Sequence, residues 1–390
     1  MRIRDIRETA VRINSTMRNA VFDFSEMTTS IVAVITDVVR DGKPVVGYAF
    51  NSTGRYACGA IMRERLIPRV LRAEPKSLLD AAGDNFDPAK ILAAMLKGEK
   101  PGGDVERSIA AGTIEVACWD AVAKLEGLPL HRALANRFRG GKTVARMFCY
   151  VGGGWYVPGT GVEQLQDEIR RRLDDGYTLM KIKVGGVPLK DDLARLDAAI
   201  ALMGAGERLA VDANCGFATD RGRLMAYAKA LAPYKLRWFE EPVHPNDYAL
   251  NAELASVYEP ALATGENLFS MEDVRNLVRH GGMRPGHDVI QTDTPQSYGI
   301  TMLVKTLDML KVHGWESSSV LPHGGNQMSL HIAGGLGLGM CESYPGVFGM
   351  FAGFADDARI DNGYLKMPDR PGIGFEAQAD LYEVMAELSS

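Results

Sequence analysis

Residues 178–214 read TLMKIKVGGVPLKDDLARLDAAIALMGAGERLAVDAN, and this stretch decides the fold. Two short apolar runs, TLMKIKV and RLAVDAN, end in charged residues and enclose a segment with helical spacing. Apolar runs bounded by turn signals and alternating with helices build a parallel sheet. The unit recurs with a period of about thirty residues. LRWFEEP, ALATGEN, DVIQTD, SSSVLPH and LGMCES follow it, and MFCYVGGG precedes it. These are the strands of an eight-stranded βα barrel, in which residues at the C-terminal strand ends share one mouth. The ends carry Lys181, Lys183, Asp212, Glu240, Glu266, Asp293, His323 and Glu342.

The 390 residues exceed the roughly 250 of a minimal barrel. The surplus precedes the repeat. Residues 1–125 read as strands first (IRDIRETAVRI, SIVAVITDVV, PVVGYAF) and helices afterwards, an α+β block. Within it, RDGK is a hairpin turn with Gly42 free to take positive φ. Residues 126–355 form the barrel. The tail, 356–390, is too short for a domain and is expected to return and pack on the first block. A net charge of −5 and a pI near 5.9 provide no basic field for nucleic acid. No apolar stretch reaches the length of a membrane span, and the charged N-terminus does not read as a signal peptide. Five scattered cysteines read as reduced thiols of a cytoplasmic protein.

Three acids on successive strand ends, Asp212, Glu240 and Glu266, are hard oxygen donors suited to Mg²⁺, and no zinc-type Cys/His spacing competes. Lys181 and Lys183 share one face of their strand. Mutual repulsion is expected to push their pKa values down toward neutrality, where an amine takes a proton from carbon. Asp293 is placed to orient the His323 imidazole and raise its pKa, leaving the second ring nitrogen free for acid or base work. Glu342 is read as a substrate contact that would donate if protonated, and Asn214 is counted with it. Histidines 131, 244, 280, 287, 313 and 331 lie on helices or loops and read as surface or packing residues.

The combined series Lys-x-Lys, Asp, Glu, Glu, Asp, His, Glu resembles the enolase superfamily, within its mandelate racemase-like group. The resemblance spans nearly the whole chain. It implies a modified (β/α)₇β barrel under an N-terminal capping domain completed by the C-terminal tail. It also implies that superfamily's chemistry, a Lys or His base working beside Mg²⁺ on an enediolate. Lys183 would be the α-proton base and Lys181 its electrostatic partner. Asp212, Glu240 and Glu266 would hold Mg²⁺. His323, oriented by Asp293, would be the acid on the opposite face, and Glu342 would touch the substrate carboxylate. Within that group, NSTGRYACG, GEKPGGDVERS, LPHGGNQMSL and PDRPGIGFE resemble the tartrate dehydratases. The implied reaction is β-elimination of water, D-tartrate giving oxaloacetate.

Loops 17–27 and 51–59 are the natural lids, and a distal carboxylate of a diacid would pair with Arg55 or Lys100. Three other readings stay open: dehydration of a longer aldonate or aldarate, racemisation or epimerisation of a 2-hydroxy acid, and a non-catalytic binding scaffold. The expected partner is a small hydroxylated carboxylic acid, with no nucleic acid and no membrane. Homo-oligomers are an expectation from the resemblance.

Overall fold

A computed structural model describes residues 1–390. The first block opens with an antiparallel sheet of β1 (Ile3–Arg12), β2 (Thr28–Arg40) and β3 (Lys43–Phe50), in that spatial order. The β2–β3 hairpin turns on Asp41 and Gly42, both at positive φ (49° and 75°). That is the two-residue turn whose twist matches the flanking strands. One sheet face packs on the Val105–Glu126 helix. Gly47 permits the close approach, because a Cβ there would collide with the Ala117 carbonyl oxygen.

Eight parallel strands follow: β4 (Arg146–Gly153), β5 (Met180–Lys183), β6 (Leu209–Asp212), β7 (Phe239–Glu240), β8 (Leu262–Thr264), β9 (Val289–Thr292), β10 (Val320–Pro322) and β11 (Cys341–Ser343). The ladder runs from β10 through β9, β8, β7, β6 and β5 to β4, and β11 pairs with β4 on its other side. Side chains of alternate residues point inward. Tyr150, Leu179, Ala210, Trp238, Ala263 and Leu321 form one apolar cluster low in the barrel. The next inward positions carry Lys181, Asp212, Glu240 and Glu342 in place of apolar groups, so the charged layer rests on an apolar floor.

The tail divides its contacts. β12 (Ile360–Asp361) and β13 (Tyr364–Lys366) form a hairpin whose second strand pairs antiparallel with β4 of the barrel. The Ala379–Ser389 helix then lies on β2 and β1 of the first block. Arg7 donates to the carbonyl oxygens of Leu388 (3.1 Å) and Ser390 (2.6 Å).

The Val105–Glu126 helix also joins the two blocks. Glu115, fully buried, accepts from the backbone N–H groups of Ile300 and Thr301 and from Trp119 Nε1, each at 2.8 Å. Those two amides open the Ile300–Val312 helix, whose first-turn N–H groups lack intrahelical partners. No helix is long and apolar enough to cross a membrane.

Candidate active site

The eight residues singled out at the strand ends meet at one mouth. Lys181 and Lys183 end β5, Asp212 ends β6, Glu240 ends β7, and Glu342 sits in β11. Glu266, Asp293 and His323 lie in the first turns after β8, β9 and β10. Lys181, Glu240, Asp293 and Glu342 have no exposed surface.

Lys181 Nζ lies 2.5 Å from Glu240 Oε1, 2.6 Å from Glu342 Oε1 and 3.4 Å from Asp212 Oδ2. Burial disfavours its charge, but Glu240 and Glu342 outweigh that and hold its pKa well above the usual lysine value. The expected downward push from Lys183 therefore does not govern Lys181; the acids around it do. Lys183 Nζ lies 2.6 Å from Asp212 Oδ2 and 4.4 Å from the centroid of the Trp155 ring. Burial pushes the Asp212 carboxyl up, yet Lys183 and Lys181 bring it down to about 2. Against burial, Lys181 and His323 likewise lower the Glu342 pKa, so it stands here as a carboxylate acceptor and not as a protonated donor. Tyr344 Oη donates to it at 2.6 Å.

His323 Nδ1 lies 2.7 Å from Asp293 Oδ2, and Nε2 lies 3.5 Å from Glu266 Oε2. Burial opposes the imidazolium, but Glu266 and Asp293 carry its pKa up to about 10. The ring is therefore a proton donor at neutral pH.

Two lysines and this imidazole face six acids: Asp212, Glu240, Glu241, Glu266, Asp293 and Glu342. Burial and repulsion among the acids raise the pKa of Glu241 and of Glu266. Oε2 of Glu241, Oε2 of Glu266 and Oδ1 of Asn214 are buried oxygens without a hydrogen-bond donor. A surplus of buried oxygen acceptors is what a hard divalent cation neutralises, so the donor set fits Mg²⁺. The side chains do not converge on one point. Lys181 and Lys183 engage oxygens of Glu240 and Asp212 instead.

The cavity above these groups measures about 30 Å³. Lys183, Asn214, Glu266 and His323 line it from the ends of different strands, and Trp155, Tyr344 and Phe348 add an aromatic side. Both expected lids form its roof, loop 17–27 through Asn19, Phe22 and Phe24, and loop 51–59 through Thr53, Gly54 and Arg55. Arg55 donates to Asn267 Oδ1 and lies over the Phe269 ring. Lys100 does not belong here. It is exposed and does not line the cavity. Arg107 donates to the carbonyl oxygens of Lys100 (2.8 Å) and Gly102 (2.7 Å), which ties that segment to the base of the Val105–Glu126 helix.

Residues 164–381, more than half of the chain, match the family described as enolase C-terminal domain-like. The chain belongs to the enolase superfamily. It falls in the mandelate racemase/muconate lactonizing enzyme group of that superfamily. It is 26% identical over 359 residues to the arabinonate dehydratase of Saccharolobus solfataricus, covering 90% of each chain. It is 29% identical over 367 residues to the 3,6-anhydro-α-L-galactonate cycloisomerase of Streptomyces coelicolor, covering 93% of this chain and 92% of that one. Its fold matches the solved L-talarate/galactarate dehydratase of Salmonella typhimurium, liganded with Mg and L-lyxarohydroxamate, at a TM-score of 0.76 and 24% identity. That match covers 96% of this chain and 91% of the other.

Glu241, Asn267, Trp155 and Gln296, all residues of this enolase-superfamily site, escaped the reading of the sequence. Glu241 follows Glu240, and on a regular strand the two would point to opposite faces. Its φ of 42° breaks that rule and leaves it buried, with Asn267 donating to its Oε1 at 2.5 Å. Trp155 and Gln296 line the cavity from loops, where no periodicity announces them.

Proposed function

We propose that this chain is an Mg²⁺-dependent dehydratase of a sugar acid longer than tartrate, forming a 2-keto acid. The observation that carries the reading is the pairing of Lys183 and His323 across one cavity. They reach it from β5 and β10, strands well apart in the ladder. A base and an acid on separate walls can act on adjacent carbons of one substrate.

Asp212, Glu240 and Glu266 would hold the cation, which when bound supplies Lewis-acid stabilisation of the substrate carboxylate. Lys183 takes the α-proton. Lys181, held charged by Glu240 and Glu342, steadies the negative charge that develops on the carboxylate oxygens. His323, fixed by Asp293, gives its proton to the β-hydroxyl, so the carbon–oxygen bond breaks with water as the leaving group. The enol left behind takes a proton at Cβ, gives up its hydroxyl proton to solvent and becomes the 2-keto acid.

The preference for a longer acid rests on two points. The relatives named above include an arabinonate and a talarate/galactarate dehydratase. Of the two cations expected at the far carboxylate of tartrate, Lys100 is outside the cavity. The test is a panel of aldonates, aldarates and tartrate stereoisomers with Mg²⁺, followed by 2-keto acid formation and stopped by EDTA. Turnover confined to tartrate would return the substrate to the four-carbon diacid. No product and no α-hydrogen exchange in D₂O with any acid would overturn the reading.

A further inference from the structure

We infer that Gln296 is a positioning residue that links the seating of the 51–59 roof loop to the orientation of His323. The inference rests on the reading above that His323 delivers the proton. Gln296 is 3% exposed and lies in the loop that follows β9, three residues after Asp293. Its Nε2 donates to Thr53 O at 3.2 Å and to Asp293 Oδ2 at 3.1 Å. A carboxamide nitrogen has two hydrogens, so both are committed. One goes to the roof and one to the acid pair.

Asp293 Oδ2 also accepts from His323 Nδ1 at 2.7 Å, while Oδ1 of the same carboxylate is buried without a partner. Two donors thus share one oxygen. What the oxygen gives to His323 depends on how firmly Gln296 holds it. That in turn depends on Thr53, which pins the amide plane from the other side. Thr53 and Gly54 line the cavity roof, so a substrate that seats this loop also sets the amide. The loop bearing Gln296 is rigidly backed. Tyr298 N donates to Ser108 O at 3.3 Å, and a Cβ on Gly112 would strike the Pro295 carbonyl oxygen. Movement at Thr53 is therefore taken up by the Gln296 amide and not by its backbone.

Gln296→Met keeps the shape and removes both hydrogen bonds. Two readouts need no turnover. In proton NMR, the downfield imidazole N–H signal that His323→Asn abolishes should shift in Gln296→Met. Amides of residues 51–59 should exchange with D₂O faster. If Gln296→Met does not fold, Gln296→Asn, one methylene too short to span both partners, should give the same two changes. An unmoved imidazole signal in a folded variant overturns the proposal, and faster loop exchange alone would mark Gln296 as structural only.

Where a substrate is in hand, dehydration kcat should fall about tenfold with KM nearly unchanged, while α-hydrogen exchange by Lys183 persists. The loss should also be non-additive with Asp293→Asn. Parallel loss of exchange, or strict additivity, overturns it. Because the spectroscopic arms need no turnover, they decide on Gln296 even if the dehydratase reading fails.

Discussion

Lys181 Nζ and Glu342 Oε1 lie 2.6 Å apart, and neither side chain has exposed surface. Such a pair adds little over a well-packed apolar substitute, but breaking it leaves a charge stranded in the interior. Glu342→Ala removes one of the two closest acids around Lys181 and leaves Glu240 at 2.5 Å and Asp212 at 3.4 Å. We expect a loss of about 3 kcal/mol in denaturant unfolding. The double variant Lys181→Met/Glu342→Leu should recover much of it. A single-variant loss below about 1 kcal/mol, the range of exposed pairs, would show that water reaches the pair.

The two walls of the cavity should be separable by isotope. Lys183→Ala should lose both turnover and α-hydrogen exchange in D₂O, because the proposed reading makes its amine the α-proton base. His323→Asn should keep the exchange while dehydration falls by about 10²–10⁴, the usual worth of a positioned acid. Normal turnover by Lys183→Ala would remove it as the base. Equal loss of exchange and dehydration in His323→Asn would mean that proton abstraction and departure of water are not divided between these residues.

The barrel and its ring of charge were legible because each depends on a local rule. A strand repeats every second residue, so Lys181 and Lys183 had to share a face, and strand ends had to share a mouth. What stayed hidden depends on contacts across the chain. The sequence places Lys181 two residues from Lys183, but not within reach of Glu342, which lies on a strand remote in sequence. The predicted pKa direction for Lys181 failed for that reason. Glu241 was hidden by a backbone that leaves the strand at φ 42°. Lys100 misled because a cation in a glycine-rich loop looks free until Arg107 is seen to fasten the segment.

Arg55 and Lys100 should now behave differently. Arg55 lies in the roof with Nε buried and without a partner, so it has a donor to offer a substrate oxygen. Arg55→Ala should lower kcat/KM roughly thirtyfold on the best substrate, the worth of one charge-assisted contact in a closed site. Lys100→Ala should leave kcat/KM within about twofold, as surface substitutions do. A comparable loss in both variants would put Lys100 back in contact with substrate through a rearranged roof.

Acid should unfold the protein through a site remote from the cavity. His131 and His331 bring the Leu130–Phe138 and Gln327–Leu336 helices together, with Nδ1 atoms 3.4 Å apart and both rings buried. The His131 backbone N–H donates to His331 Nδ1 at 3.2 Å, so that nitrogen is an unprotonated acceptor. Burial, with Arg132 adding to it, lowers the His131 pKa to about 4, and burial with His131 beside it lowers His331 to about 3. The unfolded chain, with histidine pKa values of about 6.5, takes up protons first as pH falls. The stability of the pair is therefore complete above about pH 6.5 and drains away as pH drops toward the folded values. By about pH 5 each ring should have cost about 2 kcal/mol. Urea midpoints measured between about pH 7 and pH 5 should fall steeply, and His331→Leu should show about half that slope whatever its stability at neutral pH. A midpoint that holds level down to about pH 5 would mean that the two rings do not stay neutral in the folded protein.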